Sequence, residues 1–120
     1  MQKRNQLKKT YIESWKEKGV YQIRNTANHR VLVAGSLNLT AAKNRFDFGI
    51  ERVHHTNEAL MEDLRKYGAE KFVFEVLEEI KKNDEQARDY AFELETLLKK
   101  WVEKLSPFGE KGYNSPPRKI

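Results

Sequence analysis

Three side chains in this sequence could handle charge and stand where packing alone would not ask for them. Tyr21 lies in "GVYQIRNTANHRVLVAGS" (residues 19–36), two short apolar runs around a polar turn, and brings a hydroxyl into a strand-like run. Arg45, in "NRFDF", flanks Phe46 on the apolar side of a helical pattern. That is an expensive place for a charge without an anionic partner. His55 follows His54 just ahead of "TNEAL". Neighbours on an extended chain point to opposite sides, which is poor geometry for one shared metal. Each residue also has a plain structural reading: a half-buried strand tyrosine, a snorkelling arginine, a surface or capping histidine. Other chemistries find little support. No H-E-x-x-H, phosphate-binding glycine loop or nucleophile elbow is present, and the absence of cysteine excludes disulfides and thiolate metal sites.

The elements that must position these residues are legible from periodicity. Leu7, Tyr11 and Trp15 fall at i, i+4 and i+8, which predicts a first helix over residues 1–18 that stops at Gly19. Residues 20–24 and 31–34 are rich in Val, Ile, Leu and Tyr, and "NTANH" between them is turn chemistry, so a β-hairpin with a loop of about five or six residues is expected. Asn38 is a good N-cap for a second helix carrying Leu39, Ala42 and Phe46 on one side, with Gly49 as its stop. Thr56 or Asn57 can cap a third helix, closed by Gly68. "KFVFEVLEEI" predicts a third strand centred on 72–77, able to pair with either hairpin strand. A last helix is expected from about Asp84 to Leu105 on the repeat Ala87, Ala91, Leu94, Leu98, Trp101, Leu105. Beyond it, "GEKGYNSPPRKI" reads as a loop and a loose tail. The class is α+β: a small three-stranded sheet with helices packed on it.

The chain has 120 residues, enough for one domain. Its net charge of +5 is unevenly spread. Residues 1–18 hold six basic and two acidic side chains, net +4, which leaves +1 for the other 102. A phosphate-binding segment and a solvated basic helix fit that excess equally. No apolar run resembles a secretory signal or a membrane span, and the expected address is the cytoplasm.

Gly19-Val20-Tyr21 followed after the hairpin turn by Val33-Ala34-Gly35 resembles the paired signature of the GIY-YIG nuclease family. Further landmarks occur in family order: Arg45 on the next helix, His55 before the third, "YGAEKFVFEVLEE" at the third strand, and "WVEKLSPFGEKGYN" with its terminal Asn114. The resemblance spans residues 19–114 and is nearest to small, single-domain bacterial members. It implies a three-stranded antiparallel sheet flanked by helices, here with an extra N-terminal basic helix (1–18) and a C-terminal tail (115–120). It also implies cleavage of DNA phosphodiesters with one divalent ion, usually Mg2+. Tyr21, Arg45 and His55 take the catalytic positions, and Gly19, Gly35, Lys43, Lys8, Lys9 and Asn114 are the further candidates for contact with nucleic acid.

Two positions depart from the pattern. Val33 stands where the second tyrosine is expected, and Leu98, three residues before Trp101, stands where the family has its metal-holding glutamate. Magnesium usually relies on one or two protein carboxylates. Glu95, one turn earlier, is the nearest substitute. The sequence therefore reads as a GIY-YIG domain that binds DNA with cleavage impaired or lost. The alternatives are an active endonuclease using Glu95, or a protein-interaction domain.

Overall fold

A computed structural model describes residues 15–82 and 89–116. The elements are β1 (Lys18–Asn25), β2 (Val31–Ser36), α1 (Leu39–Glu51), α2 (Glu58–Tyr67), a 3-10 turn (Ala69–Lys71), β3 (Phe72–Ile80), α3 (Tyr90–Leu105) and a second 3-10 turn (Gly109–Lys111). The sheet is antiparallel with order β2-β1-β3, so the late strand pairs with the first hairpin strand.

The hairpin turn closes through side-chain chemistry. Asn25 Oδ1 accepts from the Ala27 N–H at 2.9 Å, and Asn28 Oδ1 accepts from the Arg30 N–H at 3.0 Å. Such Asx contacts turn the chain over five residues while His29 takes a positive φ of 66°. This turn sets the register: Tyr21 lies opposite Ala34, Gln22 opposite Val33, and Ile23 opposite Leu32.

Alternation along the strands gives the sheet two differently covered faces. One presents Tyr21, Ile23, Leu32, Phe72 and Phe74, which pack with Phe46 of α1 and Leu60 and Leu64 of α2. The Tyr21 and Phe74 rings stack at 4.6 Å, and Phe46 tilts onto Phe74 at 5.8 Å; such pairs add about 0.5–1.5 kcal/mol each to simple burial. The other face presents Val20, Val33 and Gly35, and α3 lies over it with the Leu94 side chain against Gly35. The sheet thus separates α3 from α1 and α2.

Several local expectations are corrected. Residues 1–14 lie outside the described residues, but 15–17 are not helical and Lys18 already begins β1, so Gly19 is not a helix stop. Its role is close approach: a Cβ there would stand 2.2 Å from the Glu78 carbonyl oxygen, beside the irregularity where β1 and β3 shift register. Helix α1 runs through Gly49 to Glu51. Asn38 and Asn57 do cap α1 and α2. The last helix begins at Tyr90, capped by Asp89, rather than near Asp84; residues 83–88 lie outside the described residues.

The segment after α3 is no loose tail up to residue 114. Gly112 bridges Val31 in parallel, the Tyr113 N–H donates to the Val31 carbonyl at 2.9 Å, and the Tyr113 ring is buried. Its hydroxyl donates to Asp63 Oδ2 at 2.7 Å, where Arg30 and Asn28 also converge at 2.9 and 3.0 Å. Asn25, fully buried, donates in turn to the Tyr113 hydroxyl. One polar network therefore ties the hairpin, α2 and the C-terminal segment together. Burial pushes the Asp63 carboxyl up, but the hydrogen bonds from Tyr113 and Asn28 and the Arg30 charge outweigh it and hold the group below the ordinary aspartate range.

Candidate nucleic-acid interface

On the sheet face covered by α1 and α2 lies a cleft of about 640 Å³. Tyr21 and Ala34 come from its strand floor, Arg45 and Phe48 from α1, and His55 and Asn57 from the connection into α2. The structure thus brings together the three residues that the sequence singled out first.

Their residue types could together favour an anion. Arg45 is exposed, so its charge is not desolvated as the apolar helix pattern suggested, and among the described residues no carboxylate pairs with it. Burial pushes the Tyr21 hydroxyl above the ordinary tyrosine value, with the Arg45 charge pulling partly the other way. Tyr21 is therefore a neutral phenol near pH 7, able to donate but not to act as a ready base. His55 Nδ1 accepts from the Asn57 N–H at 2.9 Å. Burial, and secondly the neighbouring His54, lower its pKa. A neutral imidazole whose Nδ1 accepts carries its proton on Nε2, so His55 adds a second neutral donor.

The connection that carries His55 is fixed by backbone geometry. After Arg52 the chain turns back with the His54 N–H donating to the Gly49 carbonyl at 2.9 Å, and Val53 sits at φ 50°. A β-branched residue in the left-handed region is rare and strained.

The other candidates lie elsewhere. Lys43 is exposed and paired with Asp47 at 2.8 Å, one turn along α1. Gly35 accommodates the Leu94 side chain. Asn114 clamps the free edge of β2, where its Oδ1 accepts from the Val33 N–H and its Nδ2 donates to the Val33 carbonyl, both at 2.8 Å. Lys8 and Lys9 lie outside the described residues. Val33 is corrected as the position of a second site side chain: it is 2% exposed and turned to the α3 face, whereas Leu32 and Ala34 face the cleft. Strand alternation was visible in the sequence, but the register that decides the face was not.

A divalent ion does not fit this donor set. The residues lining the cleft include no carboxylate, and Arg45, unpaired among the described residues, together with the neutral donors suits an anion better than a cation. Leu98 and Glu95 belong to α3 and do not line the cleft. Glu95 is 66% exposed and pairs with Lys99 at 3.7 Å. Among the described residues no cluster of three His, Cys, Asp or Glu side chains could hold a metal. Glu78, beside α3, is otherwise engaged: it accepts from Trp101 Nε1 at 2.9 Å and lies 3.4 Å from the Lys100 ammonium.

The antiparallel β2-β1-β3 sheet with α1 and α2 on one face and α3 on the other is a GIY-YIG nuclease-like fold. Among solved structures it is similar to the catalytic domain of the homing endonuclease I-TevI. The two are 26% identical with a TM-score of 0.65, over 83% of this chain and 99% of that one. It is likewise similar to a mutant of the catalytic domain of intron endonuclease I-TevI, at 26% identity and a TM-score of 0.63, over 82% of this chain and 92% of that one. No family model and no curated protein matches the chain.

Proposed function

We propose that this chain binds DNA through backbone phosphates held in the Tyr21–Arg45–His55 cleft, and that metal-dependent cleavage is impaired or lost. The observation that carries this reading is the exposed Arg45 guanidinium, without a carboxylate partner among the described residues, sharing a cleft with two neutral donors and no lining carboxylate. A phosphodiester oxygen is the anion such a set suits: a cation supplies attraction, and two oriented hydrogen bonds supply direction. DNA as the ligand is further supported by the endonuclease domains to which the fold is similar.

Cleavage makes an additional demand. A phosphodiester is already anionic, so attack on it needs charge neutralisation and a group to take the proton from water. In this cleft Arg45 serves the first need. The second is served neither by the neutral Tyr21 phenol nor by His55 while its Nδ1 accepts from the Asn57 N–H and its proton sits on Nε2, and no carboxylate lines the cleft. Residues 19–114 form the binding domain in this reading, and the basic segment 1–18 adds sequence-tolerant attraction to phosphates.

The test is retention of labelled DNA at low salt, together with plasmid nicking in magnesium or manganese. Salt-sensitive binding that weakens in Arg45→Ala, with little or no nicking, is expected. Absence of binding at low salt would overturn the reading. Efficient nicking abolished by Glu95→Ala would replace it with an active endonuclease.

A further inference from the structure

Phe48 is unusual for an aromatic residue on a packed helix. It is 60% exposed, although α1 buries Leu39, Ala42 and Phe46 on its inner side. It lines the same cleft as Tyr21, Arg45 and His55. The Arg52 guanidinium lies 3.6 Å from the centre of its ring, and Arg52 Nη1 donates to the Phe48 backbone carbonyl at 3.1 Å. The ring is thus backed by a cation on one side while most of its surface stays open to solvent. An exposed phenyl ring gains nothing for the core, and the Arg52 guanidinium, held on one face of the ring by cation–π attraction, leaves the opposite face open to a planar partner.

Arg45 and Phe48 are three residues apart, hence neighbours on the helix surface, about 5–6 Å between their Cβ atoms. That separation suits the phosphate and base of one nucleotide. The cleft volume of about 640 Å³ lies within the range of sites that accept a small-molecule-sized group.

We propose that Phe48, backed by Arg52, is a stacking platform for an unpaired base of a DNA strand whose phosphate is held at Arg45. The proposal rests on the phosphate-binding reading above and names the substrate class within it: single-stranded or locally unpaired DNA in preference to intact duplex. In a duplex both faces of each base are already covered by neighbours, so the ring gains a partner only where a base is free to leave the stack.

Fluorescence anisotropy of the full chain tests this at low salt. The probes are a labelled single strand of about a dozen bases, a blunt duplex of the same sequence, and the same strand with its central bases removed. Wild type should hold the single strand more tightly than the duplex or the base-free strand. Phe48→Ala should weaken single-strand binding roughly tenfold and leave duplex binding nearly unchanged. Phe48→Trp should retain binding, and its added emission should be quenched by the single strand but not by the base-free one. Because Phe48 is largely exposed, these variants should unfold at nearly the wild-type temperature.

Equal losses on all three probes, or no loss in Phe48→Ala, would sink the platform while leaving the Arg45 phosphate site standing. Absence of binding to every probe would remove both readings.

Discussion

Asn114 and Val33 make a two-bond contact in which one side chain imitates a β-strand. The asparagine amide accepts from the Val33 N–H and donates to its carbonyl, both at 2.8 Å. These backbone groups face away from β1, on the free edge of β2, where an unpaired donor and acceptor would otherwise stand. With the parallel bridge between Val31 and Gly112, the contact turns the C-terminal segment into a fastening for the cleft floor.

Asn114→Ala removes both hydrogen bonds, and should destabilise the fold by roughly 1–3 kcal/mol. Asn114→Asp keeps the acceptor for the Val33 N–H but sets a carboxylate against the Val33 carbonyl, so it should not rescue. Denaturant unfolding measures both; a loss confined to nucleic-acid binding with unchanged stability would contradict this structural role.

The polar network behind that fastening should set the pH limits of the fold. Asp63 titrates below its unfolded value, so it contributes stability above the ordinary aspartate range, and that contribution is lost as pH falls through the lowered folded value. Tyr113 behaves oppositely. Burial first, and the Asp63 carboxylate second, push its hydroxyl up to about 12. Its contribution is intact below about 10, and disappears as pH rises toward 12. Asp63→Asn should therefore cost most stability near neutrality, and the gap to wild type should narrow below about pH 4. Thermal unfolding across pH checks this; a constant gap would mean that Asp63 acts through packing rather than charge.

Arg45→Ala should weaken DNA retention about evenly across sequences and lower the slope of log affinity against log salt by about one. Lys43→Ala should do much less, since Lys43 is already paired with Asp47 on the same helix. Equilibrium titrations at several salt concentrations separate the two; equal slopes for wild type and Arg45→Ala would remove Arg45 from the interface.

Features that depend on near neighbours were legible in the sequence. Asn38 and Asn57 act as caps through bonds to residues three positions on, and Gly68 follows α2 with a positive φ. The α+β class also followed from periodicity, and the grouping of Tyr21, Arg45 and His55 was implied by the resemblance to the GIY-YIG family. What escaped was decided at long range. Gly19 looked like a helix stop because glycine serves many ends; its reason is the Glu78 carbonyl on another strand. The C-terminal stretch looked loose because "GEKGYN" has no periodicity, yet Tyr113 finds a buried partner on α2. Phe48 gave a weak signal, an aromatic three residues after Arg45 and off the buried stripe.

The connection after α1 carries a cost that can be removed. Val53 holds φ at 50° with 41% of its surface exposed. Glycine takes this conformation without the Cβ clash, so Val53→Gly should stabilise the chain by about 1 kcal/mol. A lower unfolding temperature would indicate that Val53 gains more from packing than it loses to strain.

Register makes the sharpest demand on the account of the hairpin. Leu32 and Val33 are adjacent aliphatic residues, Val33 at the expected position of a tyrosine, yet they face opposite sides of the sheet. Val33 is buried on the α3 face, where a tyrosine adds a ring and a hydroxyl to a closed space. Val33→Tyr should therefore cost roughly 1–3 kcal/mol by overpacking. Leu32→Tyr directs its ring into the open cleft beside Ile23 and Tyr21, so the loss should stay within about 1.5 kcal/mol. Its hydroxyl would then stand near Arg45 and should raise affinity for phosphate. Unfolding curves for the two variants decide the matter, for the opposite order of stabilities would mean that β2 is out of register by one residue, with every side chain of the cleft floor turned over.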